Sequence, residues 1–70
     1  MLARIRLNDV AAADELARAL TAANCVAVAD SGSVAVVATE TDDLRAAWLD
    51  LAFFLKAWAA DHPAVVVRLS

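Results

Sequence analysis

Residues 2 to 7, LARIRL, alternate with a period of two, placing Ala3, Ile5 and Leu7 on one face and Leu2, Arg4 and Arg6 on the other. Such alternation marks a strand with one buried face. The period then changes. In AAADELARALTAA, Leu16 and Leu20 lie four residues apart with Ala13, Ala17 and Ala23 beside them, while Asp14, Glu15 and Arg18 fall elsewhere. This spacing predicts a short amphipathic helix, and Asn8 and Asp9 are suited to cap it. NCVAVAD and SVAVVAT are two β-rich runs around Ser31-Gly32, where the glycine accepts positive φ, so a hairpin is expected. Thr39 or Thr41 can cap a second helix, with Glu40, Asp42 and Asp43 at the positive end of its dipole. That helix should run to about Asp61 and stop before Pro63, because a residue preceding proline disfavours helical backbone. AVVVRL, residues 64 to 69, reads as the last strand.

The order strand, helix, strand, strand, helix, strand contains no linker, repeat or low-complexity segment, so residues 1–70 form one α+β domain. Right-handed crossovers then give a four-stranded antiparallel sheet of order 4-1-3-2 with both helices on one face. This arrangement resembles the ferredoxin-like (split βαβ) superfold, which hosts many unrelated activities.

With both helices on one side, the other side of the sheet is left open. If Ala3, Ile5 and Leu7 point inward, strand 1 shows Leu2, Arg4 and Arg6 outward, and strand 4 shows Ala64, Val66 and Arg68. Three arginines then gather on one half of the open face, and the hairpin brings no charge to balance them. One hairpin face carries Val26, Val28, Ala35 and Val37, the other Cys25, Ala27, Ala29, Val34 and Val36, so either choice leaves the open face half apolar. In the second helix, Leu44, Trp48, Leu51, Leu55, Trp58 and Ala59 form a broad stripe assigned to the core. Opposite it, between a border of Asp43, Asp50 and Asp61 and a border of Arg45 and Lys56, lie Ala46, Leu49, Phe53, Ala57 and Ala60. A helix of about 20 residues spans roughly 30 Å against about 20 Å for a six-residue strand, which predicts an overhang near Trp58. Leu49, Phe53, Ala46, Ala57, Val66 and Leu2 are therefore the candidate interface residues.

Composition strengthens the case for association. A 70-residue chain buries only roughly 60% of the surface that it exposes when unfolded. Small domains usually gain stability from disulfides, a metal or oligomerisation. Cys25 is the only cysteine and His62 the only histidine, so an intrachain disulfide and a Cys/His zinc site are both excluded. The hydrophobic fraction of 63% is more than one small core can hide. A homo-oligomer, most simply a homodimer, is expected, with another protein as the alternative partner.

A formal net charge of -3 opposes attraction to phosphate backbones, and no nucleic acid is expected as a partner. The stretch Leu44 to Ala60 is interrupted by Arg45, Asp50 and Lys56, and MLARIRLND lacks the apolar run of a secretory signal, so a cytoplasmic protein without membrane attachment is expected. No cofactor, metal site or catalytic set is visible. Cys25 reads as a small buried hydrophobe and His62 as a charge at a helix C-terminus, while Asp30, Ser31 and Ser33 mark a turn. Arg4, Arg6 and Arg68 are candidates for holding a small anion.

In topology the chain resembles ACT domains, with LNDVAAADELARAL in the place of their strand-to-helix ligand loop but without the glycine usual there. That resemblance implies a regulatory module that senses a small ligand and pairs through its sheet or helices. Metal-binding domains of the same outline need a Cys-x-x-Cys loop, which is absent. RNA-binding ones display aromatics on the sheet, whereas all four aromatics here lie in WLDLAFFLKAW, residues 48 to 58.

Overall fold

A computed structural model describes residues 2–39 and 42–69. Strand β1 (Ala3–Leu7) leads into helix α1 (Val10–Ala22), the hairpin β2 (Val26–Asp30) and β3 (Ser33–Ala38), helix α2 (Leu44–Ala60) and strand β4 (Val67–Leu69). All pairings are antiparallel, and the strands lie in the order β2-β3-β1-β4, which is 4-1-3-2 counted from the opposite edge.

Ile5 pairs with Val34 on one side and Leu69 on the other, and Ala3 pairs with Val36. These residues share one face of the sheet. Ile5, Val34 and Val36 are fully buried there, against Leu16 and Leu20 of α1 and Leu51, Leu55 and Trp58 of α2. Both helices therefore cover the same face. No polar or charged residue is buried among those described.

Local chemistry fixes the helix ends. Asp9 caps α1 by accepting from the Ala11 and Ala12 amides, at 2.9 and 3.4 Å. At its C-terminus Asn24 takes φ 64°, and the amides of Asn24 and Cys25 donate back to the carbonyls of Thr21 and Leu20. This is a Schellman closure, with asparagine in the left-handed position more often held by glycine. In the hairpin both Ser31 and Gly32 have positive φ, 46° and 88°, as a two-residue type I′ turn requires.

Several expectations are corrected. Helix α2 is capped by Asp43, whose carboxylate accepts from the Arg45 and Ala46 amides; Thr39 does not cap it, and Thr41 and Glu40 lie outside the described residues. The helix has 17 residues, about 25 Å, shorter than the roughly 20 expected, and Trp58, only 9% exposed, sits in the core as its place in the stripe predicts and not on an overhang. Its buried stripe is Ala47, Leu51, Leu55 and Trp58. Leu44, at the first turn, is 62% exposed, and Trp48 is half-buried at the flank. Ala47, one turn before Leu51, takes the buried position in the first turns of the helix.

Strand β4 begins at Val67, three residues later than the run AVVVRL suggests. Its register explains this. Val67 pairs with Leu7, the last residue of β1, so residues 64–66 have no strand backbone beside them. The Asn8 side chain takes that place: its Oδ1 accepts from the Val66 amide at 3.0 Å and its Nδ2 donates to the Ala64 carbonyl at 3.5 Å. Expected as one of two caps, Asn8 is instead a side-chain substitute for strand pairing. Replacing Asn8 with Ala should lower stability by about 1 kcal/mol in a urea titration and selectively speed hydrogen exchange at the Val66 amide.

Candidate functional site

The open face of the sheet is organised in rows that the register makes explicit. Asp30 pairs with Ser33, Ser33 with Arg6, and Arg6 with Arg68, so these four lie in one line across β2, β3, β1 and β4. The next row is Val28, Ala35 and Arg4. Farther along, a register shift between Val26 and Ala27 bends the hairpin and leaves Val26 and Val37 at that end. Val26, Val28 and Val37 are 55%, 56% and 50% exposed, which identifies the outward face of the hairpin that the sequence leaves open. Ala27 and Ala29 turn to the helices.

Arg4, Arg6 and Arg68 are all exposed on this face, and Arg6 stands directly opposite Arg68. Like charges in directly paired positions repel. One charge escapes the sequence argument. Asp30, read there as a turn marker, alternates with Val28 and Val26 and so occupies the outward end of the arginine row. The hairpin does bring a charge to this face, and counting positions back from Ser33 would have found it.

The other candidate interface residues separate. Leu49 and Phe53 of α2 are exposed, Phe53 at 71%, and Ala57 is exposed beside them. Ala46 is half-buried, so the outer stripe is shorter than expected. Val66 is exposed just before β4. Leu2 is half-buried and packs against the core, and its amide donates to the Val36 carbonyl at 2.8 Å.

Between the C-terminal end of α1 and α2 runs an open groove of about 470 Å³, lined by residues that include Leu20, Cys25, Thr39, Ala47, Asp50 and Phe54. Cys25 is half-buried in it, with Sγ 3.9 Å from the Ala23 carbonyl. His62 does not line this groove, so the cysteine and the histidine do not form a pair there. Among the described residues no group of three or more His, Cys, Asp or Glu side chains is placed to hold a metal ion, and no helix is long and apolar enough to cross a membrane.

His62 closes the C-terminus of α2. Its Nδ1 lies 2.8 Å from the Trp58 carbonyl, its Nε2 is 3.4 Å from Glu15 Oε1 on α1, and its ring stacks on Trp58 with centroids 3.9 Å apart. The carbonyl contact raises its pKa above the ordinary 6.5, aided by the Glu15 carboxylate and opposed by partial desolvation. The doubly protonated ring donates to both oxygens, so the native state holds the proton more tightly than the unfolded chain does. That contribution is complete below about pH 6.5 and is lost as pH rises through the native pKa. An NMR titration of His62 should show a midpoint above 6.5. Thermal stability should fall from pH 6 to pH 8 more in the parent than in His62→Gln.

No protein-family model matches this chain, and neither a curated protein nor a solved structure shows significant similarity to it.

Proposed function

We propose that this chain is a non-enzymatic interaction module that self-associates through the open face of its sheet. The observation that carries this reading is the row of valines, Val26, Val28 and Val37, each at least half exposed on a face that neither helix covers. Covering each by a partner would contribute about 1 kcal/mol from the apolar area removed from water. The element order and strand order support reading the architecture as ferredoxin-like, a fold that leaves one sheet face available.

The outer stripe of α2 is a second apolar surface, but its charges suit antiparallel self-pairing poorly. Asp43, Asp50 and Asp61 border Leu49 and Phe53 on one side, Arg45 and Lys56 on the other. An antiparallel twofold pair of α2 helices sets each border against its own copy, acid against acid and base against base. Leu49, Phe53 and Ala57 are therefore ill-suited to an antiparallel second copy of this helix and remain open to a different protein.

A further reading, a regulatory module that senses a small anion, is favoured by one observation: the direct opposition of Arg6 and Arg68 with Arg4 close by. A carboxylate or phosphate between them would relieve the repulsion. If so, replacing Arg4, Arg6 and Arg68 with Gln should abolish any thermal stabilisation by inorganic phosphate.

Sedimentation equilibrium tests the leading reading. The parent should dimerise at micromolar concentrations, Val37→Asp should weaken the dimer by about tenfold or more, and Phe53→Asp should leave it intact. A parent that stays monomeric at high micromolar concentration overturns self-association.

A further inference from the structure

The open face carries its charge as a gradient, acidic at the β2 edge and basic toward β1 and β4, because Asp30, Ser33, Arg6 and Arg68 occupy one row. Among the described residues neither Asp30 nor Arg6 has an ion-pair partner. Their strands are separated by β3, about 10 Å across the sheet. A second copy of the same face offers the missing partners, provided it is turned the right way.

Resting on the self-association reading above, we propose that two copies pack face to face about a twofold axis that runs parallel to the strands and passes over β3, so that Asp30 of each lies over the partner's Arg6. Rotation about such an axis keeps each residue's position along the strands and reverses the order of the strands. β3 then lies on its own copy, and β2 lies on the partner's β1. Ala35 and Val37 meet their counterparts in the middle of the contact. Val28 lies over the partner's Arg4, whose aliphatic stem can cover it while the guanidinium reaches the edge. Arg68 projects past the partner's β2 and keeps its water, so it carries no desolvation penalty.

The alternative twofold axis runs across the strands and sets β1 on the partner's β1. Arg4 and Arg6 would then face Arg6 and Arg4 of the other copy, like charges at the centre of a contact that excludes water. The charge pattern thus selects the strand-parallel axis. Aligned sheets pack about 10 Å apart with strands within about 30° of each other, which this axis produces. Ser33 adds a polar contact of the right sense. Its hydroxyl already donates to the Asp30 carbonyl at 2.9 Å, so its remaining lone pairs are available to accept from an arginine. Three overlapping strands cover roughly 250 Å² in plan on each copy, below the roughly 800 Å² of a standard interface. The dimer is accordingly reversible and weakened by salt.

Exchanging charge between copies tests the orientation. Asp30→Arg alone places arginine over arginine, and Arg6→Asp alone places aspartate over aspartate. Each should raise the dimer dissociation constant by about tenfold or more. An equimolar mixture of the two variants re-forms opposite-charge pairs at both positions, and its heterodimer should bind within about threefold of the parent. Circular dichroism checks that each variant folds, and Asp30→Asn, which removes charge without reversing it, should weaken the dimer by a smaller factor. A mixture no tighter than its separate components overturns the orientation, even if Val37→Asp still dissolves the dimer and the module reading stands. A monomeric parent overturns both.

Discussion

Ile5 is the position on which the architecture turns. It lies on a central strand, in register with Val34 on β3 and Leu69 on β4, and its side chain is wholly buried. A strand residue reaches only one side of its sheet. Every element that contributes to this core must therefore come to the same side, and Leu16, Leu20, Leu51, Leu55 and Trp58 do so from two helices. Among the described residues no third helix covers the far side. What looks like an excess of hydrophobic residues in the composition is, in space, a sheet lined with valine and alanine on both faces and covered on one.

The connections between layers are mostly made by short polar side chains acting on backbone. Asp9 and Asp43 start the two helices, Asn24 ends the first, and Asn8 joins the beginning of α1 to the segment before β4. His62 has the corresponding role at the end of α2, where it reaches the α2 backbone and Glu15 of α1 with the two nitrogens of one ring. These contacts lie at the rim of the core, where an exposed donor or acceptor keeps access to water and is cheap to satisfy. None of them brings a polar group into the interior, and that is how so small a core remains free of buried polar groups among the described residues.

Periodicity made the elements legible. Alternation in LARIRL and the four-residue spacing of Leu16 and Leu20 correspond directly to β1 and α1, and Ser31-Gly32 to the turn. What periodicity could not supply was the competition among neighbours. Residues 64–66 have strand composition but no strand beside them, because β1 ends at Leu7. Leu44 and Trp48 have core-like character, yet Ala47 occupies the buried position, since fit decides depth within a helix as much as hydrophobicity does. The candidate site was legible as an apolar half and an arginine half. Its acidic corner at Asp30 coincides with the start of the turn, although the alternation that exposes Val26 and Val28 continues through it.

The pairing of β1 with β4 joins the first strand of the chain to the last, and it has a consequence during synthesis. Both neighbours of β1 follow it in sequence, and β4 follows every other element. As the chain is translated, α1 and the hairpin can assemble on β1, but the Ile5 side of the sheet is not closed until residues 67–69 have left the ribosome. Contacts this distant in sequence are slow to form, and a domain this small offers little to hold a partial structure meanwhile. The domain thus closes only once β4 is available, and the valine face is exposed to other chains before the core beneath it is sealed.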